Sequence, residues 1–171
     1  EFGISVSLSV ADGFPTRTTS DIARGHNNTT INLYGTTNLA GGIVSLRHWE
    51  ASGLTEYLDF FLSPLDHDFE NRSTSLEISS SFSKQIESRI IISQTVDDIV
   101  QNQSTDFVES SRLSIDWQLS WSSDQHKVTG GLYYVDEEAS IFSFGSGFDE
   151  TTATSALFML DQWSAGRHRA F

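Results

Sequence analysis

Almost unbroken alternation of apolar and polar residues governs four stretches of the chain and limits what they can fold into. Phe2, Ile4, Val6, Leu8 and Val10 alternate with Gly3, Ser5, Ser7 and Ser9. Thr74, Leu76, Ile78 and Phe82 interleave with Ser73, Ser75, Glu77 and Ser79. Leu113, Ile115, Trp117, Leu119 and Trp121 interleave with Arg112, Ser114, Asp116, Gln118 and Ser120. Val128, Gly130, Leu132 and Tyr134 interleave with Lys127, Thr129, Gly131 and Tyr133. A period of two sends the two sets to opposite faces of a sheet, one greasy and one wet. Such a sheet suits either a soluble sandwich or a membrane barrel.

Length and composition are compatible with both. The chain has 171 residues, of which 37% are hydrophobic, and its mean hydropathy is −0.25. A β-barrel needs apolar residues only on its outward half, so these values do not argue against a membrane. No run of about 18 or more apolar residues exists, so a transmembrane helix is excluded. Cysteine is absent, which removes disulfides and thiolate metal sites. A net charge of −13 argues against binding to a phosphate backbone, which needs clustered Lys and Arg. There is no initiator Met and no signal peptide, as in a mature or excised segment.

Eight strands are expected, roughly over 2–10, 29–38, 42–51, 72–83, 88–97, 110–122, 126–139 and 152–164. Short links at Asn38–Gly41, Lys84–Glu87 and Ser123–Gln125 suit hairpin turns. Long links are expected at about 11–28, 52–71, 98–109 and 140–151. This short-long rhythm is that of an up-and-down transmembrane barrel, whose periplasmic turns are short and extracellular loops long. It places the acidic clusters (Asp59 to Glu70, Asp97 and Asp98, Asp136 to Glu138, Asp149 and Glu150) in or beside long links outside the cell. Trp49, Tyr57, Trp121, Tyr133, Tyr134 and Trp163 are candidates for interfacial aromatic girdles. The rival from a different class is a secreted, soluble β-sandwich binding module.

Catalytic chemistry is not legible, and no enzyme is expected. His26, His48, His67, His126 and His168 are scattered singly. Phe144-Gly145-Ser146-Gly147-Phe148 lacks the spacing of a nucleophile elbow and reads as a flexible loop tip. Asn27, Asn28, Asn71 and Asn102 begin N-x-[ST] triplets, which are frequent in a chain this rich in Ser, Thr and Asn. The best candidate site is the expected loop from Glu56 to Asn71. There Tyr57, Phe60 and Phe61 are candidate ligand contacts, and Asp59, Asp66, Asp68 and Glu70 offer oxygen ligands to a hard cation such as calcium. The spacing is not that of an EF-hand.

Several segments, taken in order, carry a resemblance. Asp12-Gly13-Phe14-Pro15-Thr16-Arg17 leads into Arg24-Gly25-His26-Asn27-Asn28-Thr29-Thr30. Thr55-Glu56-Tyr57-Leu58-Asp59 leads into Asp68-Phe69-Glu70-Asn71-Arg72. Asp116-Trp117-Gln118, Gly130-Gly131-Leu132-Tyr133-Tyr134, Asp136-Glu137-Glu138, Phe148-Asp149-Glu150 and Gly166-Arg167-His168 follow. In order and spacing, over nearly the whole chain, they resemble TonB-dependent outer-membrane receptors, specifically the cobalamin transporter branch.

The resemblance implies a Gram-negative outer-membrane location and an all-β, antiparallel, up-and-down transmembrane barrel. That barrel has about 22 strands and is plugged by an N-terminal domain. Residues 1–171 would be a partial barrel domain, an eight-strand fragment without the plug and the remaining strands. It implies active transport of a scarce nutrient, cobalamin or alternatively an iron chelate carried by a siderophore, energised by the TonB complex through the plug. In the cobalamin branch, aspartates of two adjacent extracellular loops hold calcium. Tyr57, Asp59, Asp66 and Asp68 match the second loop, whereas Pro15, His26, Asn27 and Asn28 stand where the first loop carries acids. Eight strands would also make a complete small barrel, but Ala165-Gly166-Arg167-His168-Arg169-Ala170 reads as a turn into a further strand rather than a closing one.

Overall fold

The computed structural model describes residues 1–39, 41–165 and 168–170. Among them, nine strands form one antiparallel sheet in which every strand pairs with its sequence neighbours. They are β1 (Phe2–Pro15), β2 (Ala23–Leu39), β3 (Gly42–Leu58), β4 (Pro64–Ser81), β5 (Ile86–Gln101), β6 (Phe107–Ser122), β7 (His126–Ser143), β8 (Ser146–Ala165) and the short β9 (His168–Ala170). The sheet is not closed: β1 pairs only with β2, and β9 only with β8. No second sheet packs on it, so the two-layer arrangement of a sandwich is not present among the described residues. The expected entry into a further strand after β8 is met by β9, although Gly166 and Arg167 lie outside the described residues, as do Ala40 and Phe171.

The expected strands exist but are too short in the sequence reading. The first eight run from 14 to 20 residues. The links expected to be long shrink to 16–22, 59–63, 102–106 and 144–145, because their polar residues zip into the ladder and extend each hairpin. Backbone pairing satisfies every amide it reaches whatever the side chain, so a polar sequence does not by itself end a strand. The acidic clusters consequently sit on strands, not in loops: Asp66, Asp68 and Glu70 on β4, Asp97 and Asp98 on β5, Asp136 to Glu138 on β7, Asp149 and Glu150 on β8. Phe144-Gly145 is a tight two-residue turn with positive φ at both positions (50° and 79°), as a hairpin of this hand demands, and not an extended loop tip.

Cross-strand partners share a face, so the register assigns every paired residue. All four alternating apolar sets fall on one face. Leu33, Leu46, Ile90, Ile92, Leu157 and Met159 join them there. Together these side chains form a belt near the short-turn end. The opposite face at that level is lined by Ser5, Ser7, Asn32, Ser75, Glu77, Arg89, Ser114, Asp116 and Lys127. Facing hydroxyls bond across it, Thr36 to Ser45 at 3.1 Å, Ser93 to Ser114 at 2.7 Å and Ser120 to Thr129 at 2.9 Å. The girdle candidates divide between the faces. Trp121, Tyr134 and Trp163 stand on the belt face, whereas Trp49, Tyr57 and Tyr133 point the other way.

The belt is bare. Ala51, Leu58 and Val135 are the only buried apolar residues among those described. Covering a large apolar side chain gains about 1.5–3 kcal/mol, so an uncovered belt of this size leaves much of the usual driving force for folding unrealised.

The belt also runs obliquely to the hydrogen-bonded rows. On β1 it spans the nine residues Phe2 to Val10 and is centred on Val6. The row through Val6 reaches β6 at Ser111 and β8 at Thr151. The apolar runs on those strands are centred near Trp117 and Met159, six and eight residues closer to the short turns. The slide is about one residue per strand. With a rise of about 3.3 Å per residue and a strand spacing of about 4.8 Å, a level belt corresponds to strands tilted by about 40°.

Candidate functional site

Above the belt, the hairpins β3–β4 and β5–β6 stand side by side and carry the residues singled out in the sequence. The β3–β4 turn is closed by Asp59. Its side chain accepts a hydrogen bond from the Ser63 amide at 2.7 Å, while its own amide donates to the Ser63 carbonyl at 3.1 Å. Leu62 takes a left-handed φ of 63° to complete the turn. Phe60 and Phe61 are thereby lifted to the tip, each 82% exposed, in an edge-to-face pair with ring centroids 5.5 Å apart. Of the seven candidates, only Asp59, Phe60 and Phe61 lie in a turn.

Tyr57 stands on the face opposite the belt. Its hydroxyl donates to Gln101 Oε1 of the neighbouring hairpin, and its ring lies 5.5 Å from that of His67. Asp66 stands on the belt face and is claimed by the β5–β6 link. Asn102 Nδ2 donates to one carboxylate oxygen at 2.5 Å and Gln103 Nε2 to the other at 2.7 Å. Gln103 Oε1 in turn accepts from the Asp66 amide and from Gln101 Nε2, both at 2.9 Å. Asp68 shares the face of Asp66 two residues along, about 7 Å away by strand geometry. Glu70 is paired with Arg72 at 2.9 Å.

Three of the four carboxylates, Asp59, Asp66 and Glu70, thus serve the protein's own donors. Among the described residues no three His, Cys, Asp or Glu side chains are grouped to hold a metal ion. The arrangement does not fit calcium as it stands: an ion would have to take Asp66 from Asn102 and Gln103, and Glu70 from Arg72. What the network does accomplish is mechanical, since Asp66, Tyr57 and the amides of 101–103 fasten two adjacent hairpins together at their tips.

Two features of this region escape a reading by residue type. The amides Gln101, Asn102 and Gln103 carry no motif, and only register brings them to Asp66. The second is a row of large apolar residues on the face opposite the belt, Phe69, Ile99, Val108, Ile141 and Phe148, each directly facing the next. The signal that could have found it is the alternation of apolar positions continuing through 52–71, 98–109 and 140–151. Beside Phe69, Gly53 is obligatory: a Cβ there would lie 2.0 Å from the Asn27 carbonyl oxygen, so β2 and β3 approach too closely for any side chain.

The chain matches no protein family model, no curated protein and no solved structure.

Proposed function

We propose that this chain is part of the barrel of an outer-membrane transporter of the TonB-dependent receptor kind. Its nutrient is most simply cobalamin, as the resemblance of its segments implies. The observation that carries the membrane part is the oblique belt. Spans of nine residues whose alternate members are apolar, as on β1 and β6, match the crossing of a bilayer by a tilted strand, about 9–11 residues. The slide corresponds to the tilt of about 35–45° that barrel strands adopt. A flat apolar slab cutting tilted strands produces this pattern, and Trp121 and Trp163 near the short turns suit its interfacial rim. Beyond the belt the strands continue as hairpins carrying acid outside the membrane. In such a barrel the edges at β1 and β9 are taken by further strands, the plug mates with the TonB complex, and the opposite face lines a water-filled lumen. A siderophore receptor would use the same belt, so the nutrient rests on the resemblance alone.

The test is placement in lipid. In the full-length protein reconstituted in bilayers, lipids brominated along their acyl chains are expected to quench emission from tryptophan at position 117 in a variant whose other tryptophans are replaced by Phe. Absence of quenching would defeat the membrane assignment. Growth of a cobalamin-requiring Gram-negative host on limiting cobalamin, with and without the gene, tests the nutrient separately.

A further inference from the structure

We propose that the row Phe69–Ile99–Val108–Ile141–Phe148 is a binding ledge for a small molecule with a flat apolar body and a cationic edge. The proposal rests on the membrane reading only in that the ledge then lies inside the barrel, above the belt, where lipid does not reach.

Five large apolar side chains in unbroken register across five strands cover about 19 Å, the sum of four strand spacings. They stand on the face that is polar at belt level, so no continuation of the lipid contact explains them. Ile99, Val108 and Phe148 are exposed, and Phe69 and Ile141 are half-buried.

The charge around the row selects its occupant. The next row toward the belt is Asn71, Asp97, Ser110, Ala139 and Glu150, which sets two carboxylates along one long edge. The next row outward carries His67 and Gln101. Arg112, on the same face two rows below the ledge, is engaged with Glu137 at 3.4 Å and with the Tyr133 hydroxyl at 2.8 Å. An apolar strip edged by acid favours a cation with a flat hydrophobic frame and disfavours an anion of the same shape.

Two dyes on one ring frame separate these terms: rhodamine 6G, a cation, and fluorescein, an anion. Their binding is measured by fluorescence anisotropy to the full-length protein in lipid nanodiscs, against empty discs. Rhodamine 6G is expected to bind at least about tenfold more tightly than fluorescein. Ile99→Ser with Val108→Ser should weaken it by about tenfold or more. Asp97→Asn with Glu150→Gln, which keeps the apolar strip and the fold, should lower the preference for the cation to about threefold or less.

Equal affinity for the two dyes, or rhodamine binding unchanged in Ile99→Ser/Val108→Ser, overturns the proposal. So does the absence of binding in a protein whose Trp117 is quenched by lipid, which would mean that another segment of the protein covers the ledge. Dye binding that depends on Ile99 and Val108 in a protein showing no lipid contact would instead uphold the ledge and defeat the membrane assignment.

Discussion

Asp66 and Gln103 are joined by two hydrogen bonds that run in opposite senses: the Gln103 side chain donates to the Asp66 carboxylate at 2.7 Å and accepts from the Asp66 amide at 2.9 Å. The pair ties the start of β4 to the link after β5, and with Asn102 it leaves neither carboxylate oxygen without a donor. Gln103→Ala should lower stability by about 1 kcal/mol, the usual net worth of such bonds. It should also quicken protease cleavage within 102–106 in the full-length protein. Cleavage at the native rate would mean that the hairpins are held together by other contacts.

Calcium must compete with these amides. The double variant Asn102→Ala/Gln103→Ala is therefore expected to bind calcium more tightly than the native protein when titrated calorimetrically at millimolar concentrations. If the two proteins give the same heat, Asn102 and Gln103 do not guard Asp66 against a cation.

The belt predicts a face-dependent response to charge. Ile115→Arg places a cation on the belt face and should cost about 2–4 kcal/mol in a bilayer. Ser114→Arg, one residue away, points to the opposite face and should cost about 1 kcal/mol through loss of the Ser93 bond. The amount of full-length protein in the outer membrane, and its resistance to unfolding in detergent on heating, would report the difference. Similar losses for both would contradict a lipid-facing belt.

Glu77 and Arg89 form a two-pronged ion pair, Nε to Oε1 at 2.9 Å and Nη2 to Oε2 at 3.0 Å, on the face opposite the belt. Both side chains remain well exposed. A double-mutant cycle with Glu77→Gln and Arg89→Gln should give a coupling of about 0.5–1 kcal/mol, weakened by salt, as for pairs in water. A coupling of several kcal/mol, insensitive to salt, would mean that this face is dry.

Alternation made the sheet legible, because Phe2 to Val10 or Leu113 to Trp121 allow one structure and one facing. Strand ends were not legible. Nothing in Asn27-Asn28 or in Asp66-His67-Asp68 favours a strand by composition, yet the growing ladder recruits them. Facing errors among the aromatics have a similar origin. Tyr133 and Tyr134 are adjacent, and a period of two must send one of them away from the belt. At the candidate site, residue type correctly brought Asp59, Phe60 and Phe61 to a hairpin tip. It gave no access to Gln101, Asn102 and Gln103, whose importance comes from bonds to Tyr57 and Asp66, 36 to 44 positions distant.

The slide of the belt against the hydrogen-bond rows has a consequence for closure. Following a row from β1 leads steadily outward from the belt, by about one residue at each strand. A ring built on this pitch could not join a row to its own beginning. The path would return displaced by about as many residues as there are strands, so the hydrogen bonds would trace a spiral staircase around the wall. A strand added beside β1 would have to arrive in that offset register, and one slipped by a single residue would turn its oily side inward.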